Sequence, residues 1–165
     1  FIHGSSFLKN ENGFLLTVTG GSGKTNRGME LLKQKGIRVA FFLQFGYLGE
    51  TKEDIDKTIN MVKNLMPDEI GASVSYPLPG TKFFEIVKTQ LVSKQNWTDS
   101  DDLDLMYDGT FSKSYYKKLH RYVHKVFQLA RAKDDFKKLK PSAVFKYFYY
   151  QLMSFYFKLQ MANAK

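Results

Sequence analysis

Residues 36–81, GIRVAFFLQFGYLGETKEDIDKTINMVKNLMPDEIGASVSYPLPGT, decide the fold. Ile37 to Phe45 is a near-continuous apolar run and reads as a strand buried on both faces, the pattern of a parallel sheet. A glycine turn follows, Gly46 to Glu50. Thr51 then has the character of an N-cap, with Glu53 and Asp54 in the positive first turn of a helix. Ile55, Ile59, Val62 and Leu65 repeat at helical spacing and make one apolar stripe. Pro67 stops the helix. Ile70 to Ser75 reads as a second strand, and Tyr76-Pro77-Leu78-Pro79-Gly80-Thr81 turns off it. The block is one βαβ unit with a glycine loop at the carboxyl end of each strand, where parallel α/β folds hold ligands.

Upstream, Met29, Leu31 and Leu32 begin a short helix, with Lys33 and Lys35 in its last turn and Gly36 closing it. Residues 1–27 are rich in Gly, Ser and Asn and hold one short run of strand character, Phe14 to Val18. Downstream, Phe83 to Leu91 reads as a helix, and Asn96 to Asp108 as an acidic loop carrying the only Trp. From Ser112 the chain is helical and basic. Tyr116, Leu119, Val123, Val126, Phe127 and Ala130 form one face, Pro141 breaks the helix, and a final aromatic helix runs from Val144 to Met161. Its stripe of Phe145, Phe148, Leu152, Phe155 and Leu159 is expected to pack on the domain or on a partner.

At 165 residues, 43% of them hydrophobic, the chain can bury a core and belongs to no disordered class. It contains no cysteine, which excludes disulfides, thiolate zinc sites and iron–sulfur clusters held by this chain alone. No signal-peptide pattern is present, and a cytoplasmic location is expected. The net charge of +9 is unevenly spread. Residues 1–112 hold 12 Lys/Arg against 14 Asp/Glu, whereas residues 113–165 hold 13 against 2. No nucleic-acid reader module accompanies that charge, so no nucleic-acid partner is expected.

Several motifs invite sharper readings. Phe14 to Val18 followed by Gly20-Gly21-Ser22-Gly23-Lys24-Thr25 suggests a P-loop, but counting back from Gly23 puts Val18 where the motif requires Gly. The later strands run into Gln44 and Ser75 rather than the Asp that would hold magnesium. A flexible Gly/Ser turn is the better reading, with a P-loop-like nucleotide binder as an alternative. His120 and His124 are spaced for one helix face, but the residues between them lack the Glu of a metalloprotease helix; surface or half-buried histidines are expected. Asp99, Asp101, Asp102 and Asp104 lack the Gly and Glu of a calcium loop. The apolar part of the last helix is too short to span a bilayer, though a basic aromatic helix can lie on a membrane surface.

The stretch from Phe41 to Thr81 resembles the last strands of the radical S-adenosylmethionine barrel. Members show an apolar strand entering G-x-P-G-E-T, an amphipathic helix, and a strand ending Y-x-x-P-G-T. Here these stand as Gly46-Tyr47-Leu48-Gly49-Glu50-Thr51, with Leu48 in place of Pro, and as Tyr76 to Thr81. The likeness is greatest to members with a cobalamin-binding domain, such as anaerobic magnesium-protoporphyrin monomethyl ester cyclase-like proteins, and covers about residues 29–130.

The resemblance implies an α/β fold: a partial TIM-like barrel over 28–95, behind an atypical leader at 1–27, followed by a basic helical region at 96–165. It implies two or three parallel strands. Gln44, Phe45, Gly46, Tyr47, Gly49 and Glu50 would border the adenine of S-adenosylmethionine, and Tyr76, Pro79 and Gly80 would face the substrate. For each glycine, ligand contact and a purely structural turn remain open. The family's chemistry needs three cysteines for a [4Fe–4S] cluster, and none exists here. The chain therefore reads as the carboxyl half of such an enzyme behind an unrelated, truncated or frameshifted leader, inactive alone, its partner the missing amino half of the barrel. A tetrapyrrole- or lipid-type small-molecule substrate and a cobalamin cofactor belong to the same expectation. The rival reading is a non-catalytic interaction module that docks through its basic aromatic tail.

Overall fold

The computed structural model describes residues 2–9, 12–19, 24–91, 103, 105–138, 140 and 142–164. In chain order the elements are β1 (Ile2–Lys9), β2 (Asn12–Thr19), α1 (Lys24–Gln34), β3 (Arg38–Phe45), α2 (Lys52–Leu65) and β4 (Glu69–Val74). There follow α3 (Lys82–Val87), a 3-10 turn (Lys88–Gln90), α4 (Lys113–Lys137) and α5 (Ala143–Ala162). The class is α/β. The sheet order is β2-β1-β3-β4. β3 and β4 run parallel, with Ala40 opposite Glu69 and Phe45 opposite Val74.

Among the described strands this pair supplies two parallel strands, the lower of the two or three expected. β1 pairs antiparallel with both β2 and β3. Two residues separate β1 from β2, and strands joined so closely can pair only antiparallel.

The expectation that β3 is buried on both faces is also corrected. Its burial alternates strictly: Val39, Phe41, Leu43 and Phe45 are buried, whereas Arg38, Phe42 and Gln44 are exposed, Phe42 by 55%. Met29 of α1, Ile55, Ile59 and Val62 of α2, and Tyr116, Leu119, Val123 and Phe127 of α4 share one core with the buried set. These helices cover one face of the sheet. An apolar Phe or Ala at an open-face position makes a one-sided strand read as two-sided.

Local chemistry fixes the helix ends. Thr51 and Asp54 form a reciprocal capping box at the start of α2. Met66 takes the left-handed conformation (φ +48°) at its end. The Lys33 ammonium then donates to the carbonyls of Leu65 and Met66 at 2.7 and 2.6 Å, neutralising the helix's negative terminus. Gly36 closes α1 with φ +69°, as Ile37 N–H reaches Leu32 O and Gly36 N–H reaches Lys33 O, a Schellman closure.

α5 packs along α4 through Ala143, Tyr147, Tyr150, Ser154, Phe157 and Met161, spaced +4, +3, +4, +3 and +4. Tyr147 stacks on Phe136, the Lys125 ammonium lies over the Tyr149 and Tyr150 rings, and Lys118 donates to Gln160 O. The stripe expected to pack on the domain faces the other way. Phe145, Phe148, Leu152, Phe155 and Leu159 are exposed by 79, 64, 66, 60 and 51%.

Candidate functional site

The two glycine loops sit side by side at the carboxyl ends of β3 and β4, and both are built from one device. In the first, Glu50 N–H donates to Tyr47 O, and Gly49 takes φ +77°. In the second, Thr81 N–H donates to Leu78 O, and Gly80 takes φ +83°. Each is a type II turn with glycine at the third position, where a positive φ is required. Each ends on a threonine N-cap: Thr51 Oγ1 accepts from Asp54 N–H, and Thr81 Oγ1 from Phe84 N–H. Leu48 and Pro79 occupy the same turn position, the one where proline's fixed φ fits.

Gly46 is the hub of the first loop. Its N–H donates to the Glu50 carboxylate at 2.8 Å, and its carbonyl accepts from the Tyr107 hydroxyl at 2.6 Å. Its φ is +83°, and a Cβ there would stand 2.9 Å from Leu105 Cδ2 and 3.3 Å from Tyr116 Cζ. The end of the acidic stretch, through Leu105 and Tyr107, thus folds over the strand end and fills the space beside Gly46. Tyr47 stacks on Phe83 at 4.6 Å, and Phe83 meets Tyr107 edge-on at 5.1 Å. These contacts tie the two loops together around a second, smaller core of Phe83, Val87, Met106 and Tyr107.

Glu50 is only 3% exposed. Burial, the largest cause, raises its carboxyl from the ordinary 4.5 to about 7, against the Gly46 hydrogen bond, which lowers it; Asp54 adds repulsion. Tyr116 and Glu50 sit close enough to perturb one another. The Tyr116 hydroxyl nevertheless lies outside hydrogen-bond geometry and, among the described residues, has no partner. Burial raises the phenols of Tyr107 and Tyr116, and pushes Tyr115 up to about 12. At neutral pH all three are hydroxyls, and Glu50 is the group that can exchange a proton.

The residues expected to border a ligand divide into two sets. Phe45, Gly46 and Glu50 are buried and engaged in the loop itself. Gln44, Tyr47, Gly49, Pro79 and Gly80 are exposed, and Tyr76 is half-buried between the two cores. The exposed set offers an amide, a phenol and glycine backbone, suited to hydrogen bonding and to a flat apolar group. The sequence does not mark Tyr107 and Tyr116 as part of the site, because Gly46, which both meet, lies 61 and 70 residues away in the chain. A tyrosine beside Met106 in an acidic stretch was the available hint.

The other motifs resolve as follows. Lys24 opens α1, and β2 is the sheet's edge strand; Gly20 to Gly23 lie outside the described residues. His120 and His124 are half-buried, their rings 4.6 Å apart, and burial, His120 and Lys125 hold His124 below its usual range. Asp99, Asp101, Asp102, Asp104 and the only Trp lie outside the described residues. Among the described residues no group of three His, Asp or Glu could hold a metal ion, and no helix is long and apolar enough to cross a membrane. No family model and no curated protein sequence matches the chain.

Proposed function

We propose that this chain is the carboxyl-terminal wall of a radical S-adenosylmethionine barrel. One observation carries the reading: the helices cover a single face of the parallel β3–β4 pair and leave Phe42 and Gln44 on an open face beneath two glycine loops. A barrel wall has this asymmetry, with helices outside and the strands' other face toward the lumen. Among the described strands β4 stands at the end of the sheet order, and the antiparallel β1 lies on the other edge of β3, where a barrel places a parallel strand.

In this reading Gln44 and Tyr47 border the adenine from the rim, while Gly46 and Glu50 hold the loop's shape. Tyr76, Pro79 and Gly80 form the substrate-side rim. A [4Fe–4S] cluster does not fit this chain, which has no thiolate to hold one; the radical-forming half, with any cobalamin domain, belongs to the amino-terminal part of the enzyme. Alone, the chain cleaves no S-adenosylmethionine.

The test is to sequence the genomic DNA upstream of the Phe1 codon and translate its forward frames. A C-x-x-x-C-x-x-C followed by βα repeats in one of them is the expected result. Upstream sequence without that motif overturns the reading.

A further inference from the structure

The outward face of α5 is a site in its own right, independent of the barrel reading. Phe145, Phe148, Leu152, Phe155 and Leu159 follow one another at +3, +4, +3 and +4 and form an exposed apolar stripe about 21 Å long. Apolar surface of that continuity on a helix already packed along its other face calls for an occupant. Beside it lies a groove of about 540 Å³ lined by Phe148, Leu152, Phe155 and Lys158, with Tyr122 and Ser154 in its wall.

Tyr122 and Ser154 also line the adjoining groove, of about 700 Å³, whose basic residues are Lys33, Lys63, Lys133 and Lys137. Its one acidic residue, Asp134, is paired with Lys138. Lys33 is committed to the end of α2; Lys63, Lys133 and Lys137 are exposed and form no ion pair among the described residues. The groove beside the apolar stripe thus adjoins a lysine cluster.

From this juxtaposition we infer that α5 docks on the surface of an anionic phospholipid bilayer. The stripe enters the acyl boundary, Lys158 extends toward the headgroups, and the Lys63–Lys133–Lys137 groove faces lipid phosphates. Charge selects this occupant over a second copy of the chain. Pairing two such faces would bring together two sets of Lys63, Lys133, Lys137 and Lys158, each with one carboxylate, Asp134, that is already paired with Lys138. A nucleic-acid duplex would satisfy the lysines and leave the phenylalanines in water.

The experiment is sedimentation of the full chain with vesicles of phosphatidylcholine alone and of phosphatidylcholine mixed with phosphatidylglycerol. Binding to the mixed vesicles, weakened by high salt, is expected. The double variant Phe148→Gln/Phe155→Gln and, separately, Lys133→Gln/Lys137→Gln should each lower the partition by about tenfold or more. All four positions are exposed, and circular dichroism checks that both variants keep the fold. Three results overturn the inference: no binding to the mixed vesicles, equal binding to both kinds, or binding that neither variant weakens. A concentration-dependent dimer that the phenylalanine variant dissolves also overturns it, in favour of a second copy.

Discussion

Glu50 shows what a single residue contributes to the rim. Its carboxyl closes the loop on Gly46 N–H, yet burial raises it from 4.5 to about 7. The folded protein therefore binds this proton more tightly than the unfolded chain does. The resulting stabilisation is fully present below about pH 4.5 and is lost as pH rises through about 7. Glu50→Gln keeps an acceptor for Gly46 and removes the titration. Relative to wild type it should gain on the order of 2 kcal/mol between pH 5 and pH 8, measured by urea unfolding at each pH. A constant difference would mean that Glu50 does not titrate in this range. Gly46→Ala meets two obstacles, a positive φ and the Leu105 side chain. It should cost roughly 1–3 kcal/mol in the same assay. The sequence marks Gly46, Gly49 and Glu50 clearly, because G-x-x-G-E-T is local turn chemistry. It hides Tyr107 and Tyr116, whose roles arise only when distant segments meet.

At the scale of elements, what was legible is again what is local. Thr51, Gly36 and the Ile55–Ile59–Val62 stripe act as read, since caps and helical periodicity involve near neighbours. Thr51→Ala removes the capping-box oxygen and should cost about 1 kcal/mol, with chemical denaturation as the readout. α5 shows the limit of periodicity. It carries two apolar stripes on opposite faces, and the sequence alone favours Phe145–Phe148–Leu152 over Tyr147–Tyr150–Phe157. Hydrophobicity ranks the first higher, but the tyrosines fit α4 because Lys125 and Phe136 give their rings cationic and aromatic partners. Phe157→Ala should therefore destabilise the α4–α5 pair by roughly 2 kcal/mol. Phe148→Gln should stay within about 0.5 kcal/mol. Reversal of that order would place the packing seam on the other stripe.

For the whole molecule, the decisive property is that, among the described residues, one face of the β3–β4 pair is covered and the other is not. The hydrophobic run of β3 conceals this, and the cause is visible in adjacent residues. Phe41 is 2% exposed within the main core, while Phe42 is 55% exposed and leans over Gly71 at 3.3–3.5 Å from where its Cβ would be. Two neighbouring phenylalanines thus serve different purposes. Phe41→Ala in the isolated chain should cost about 3–5 kcal/mol, as a cavity in a packed core does. Phe42→Ser should cost less than about 0.5 kcal/mol, because its ring already meets water. Comparable losses for both would mean that the open face is covered within this chain, and the barrel-wall reading would lose its support. If instead Phe42→Ser is neutral alone but costly when the chain is joined to a cysteine-bearing amino-terminal half, the open face is the one that half covers. Phe41 should cost the same in both settings, because its partners on α2 and α4 belong to this chain.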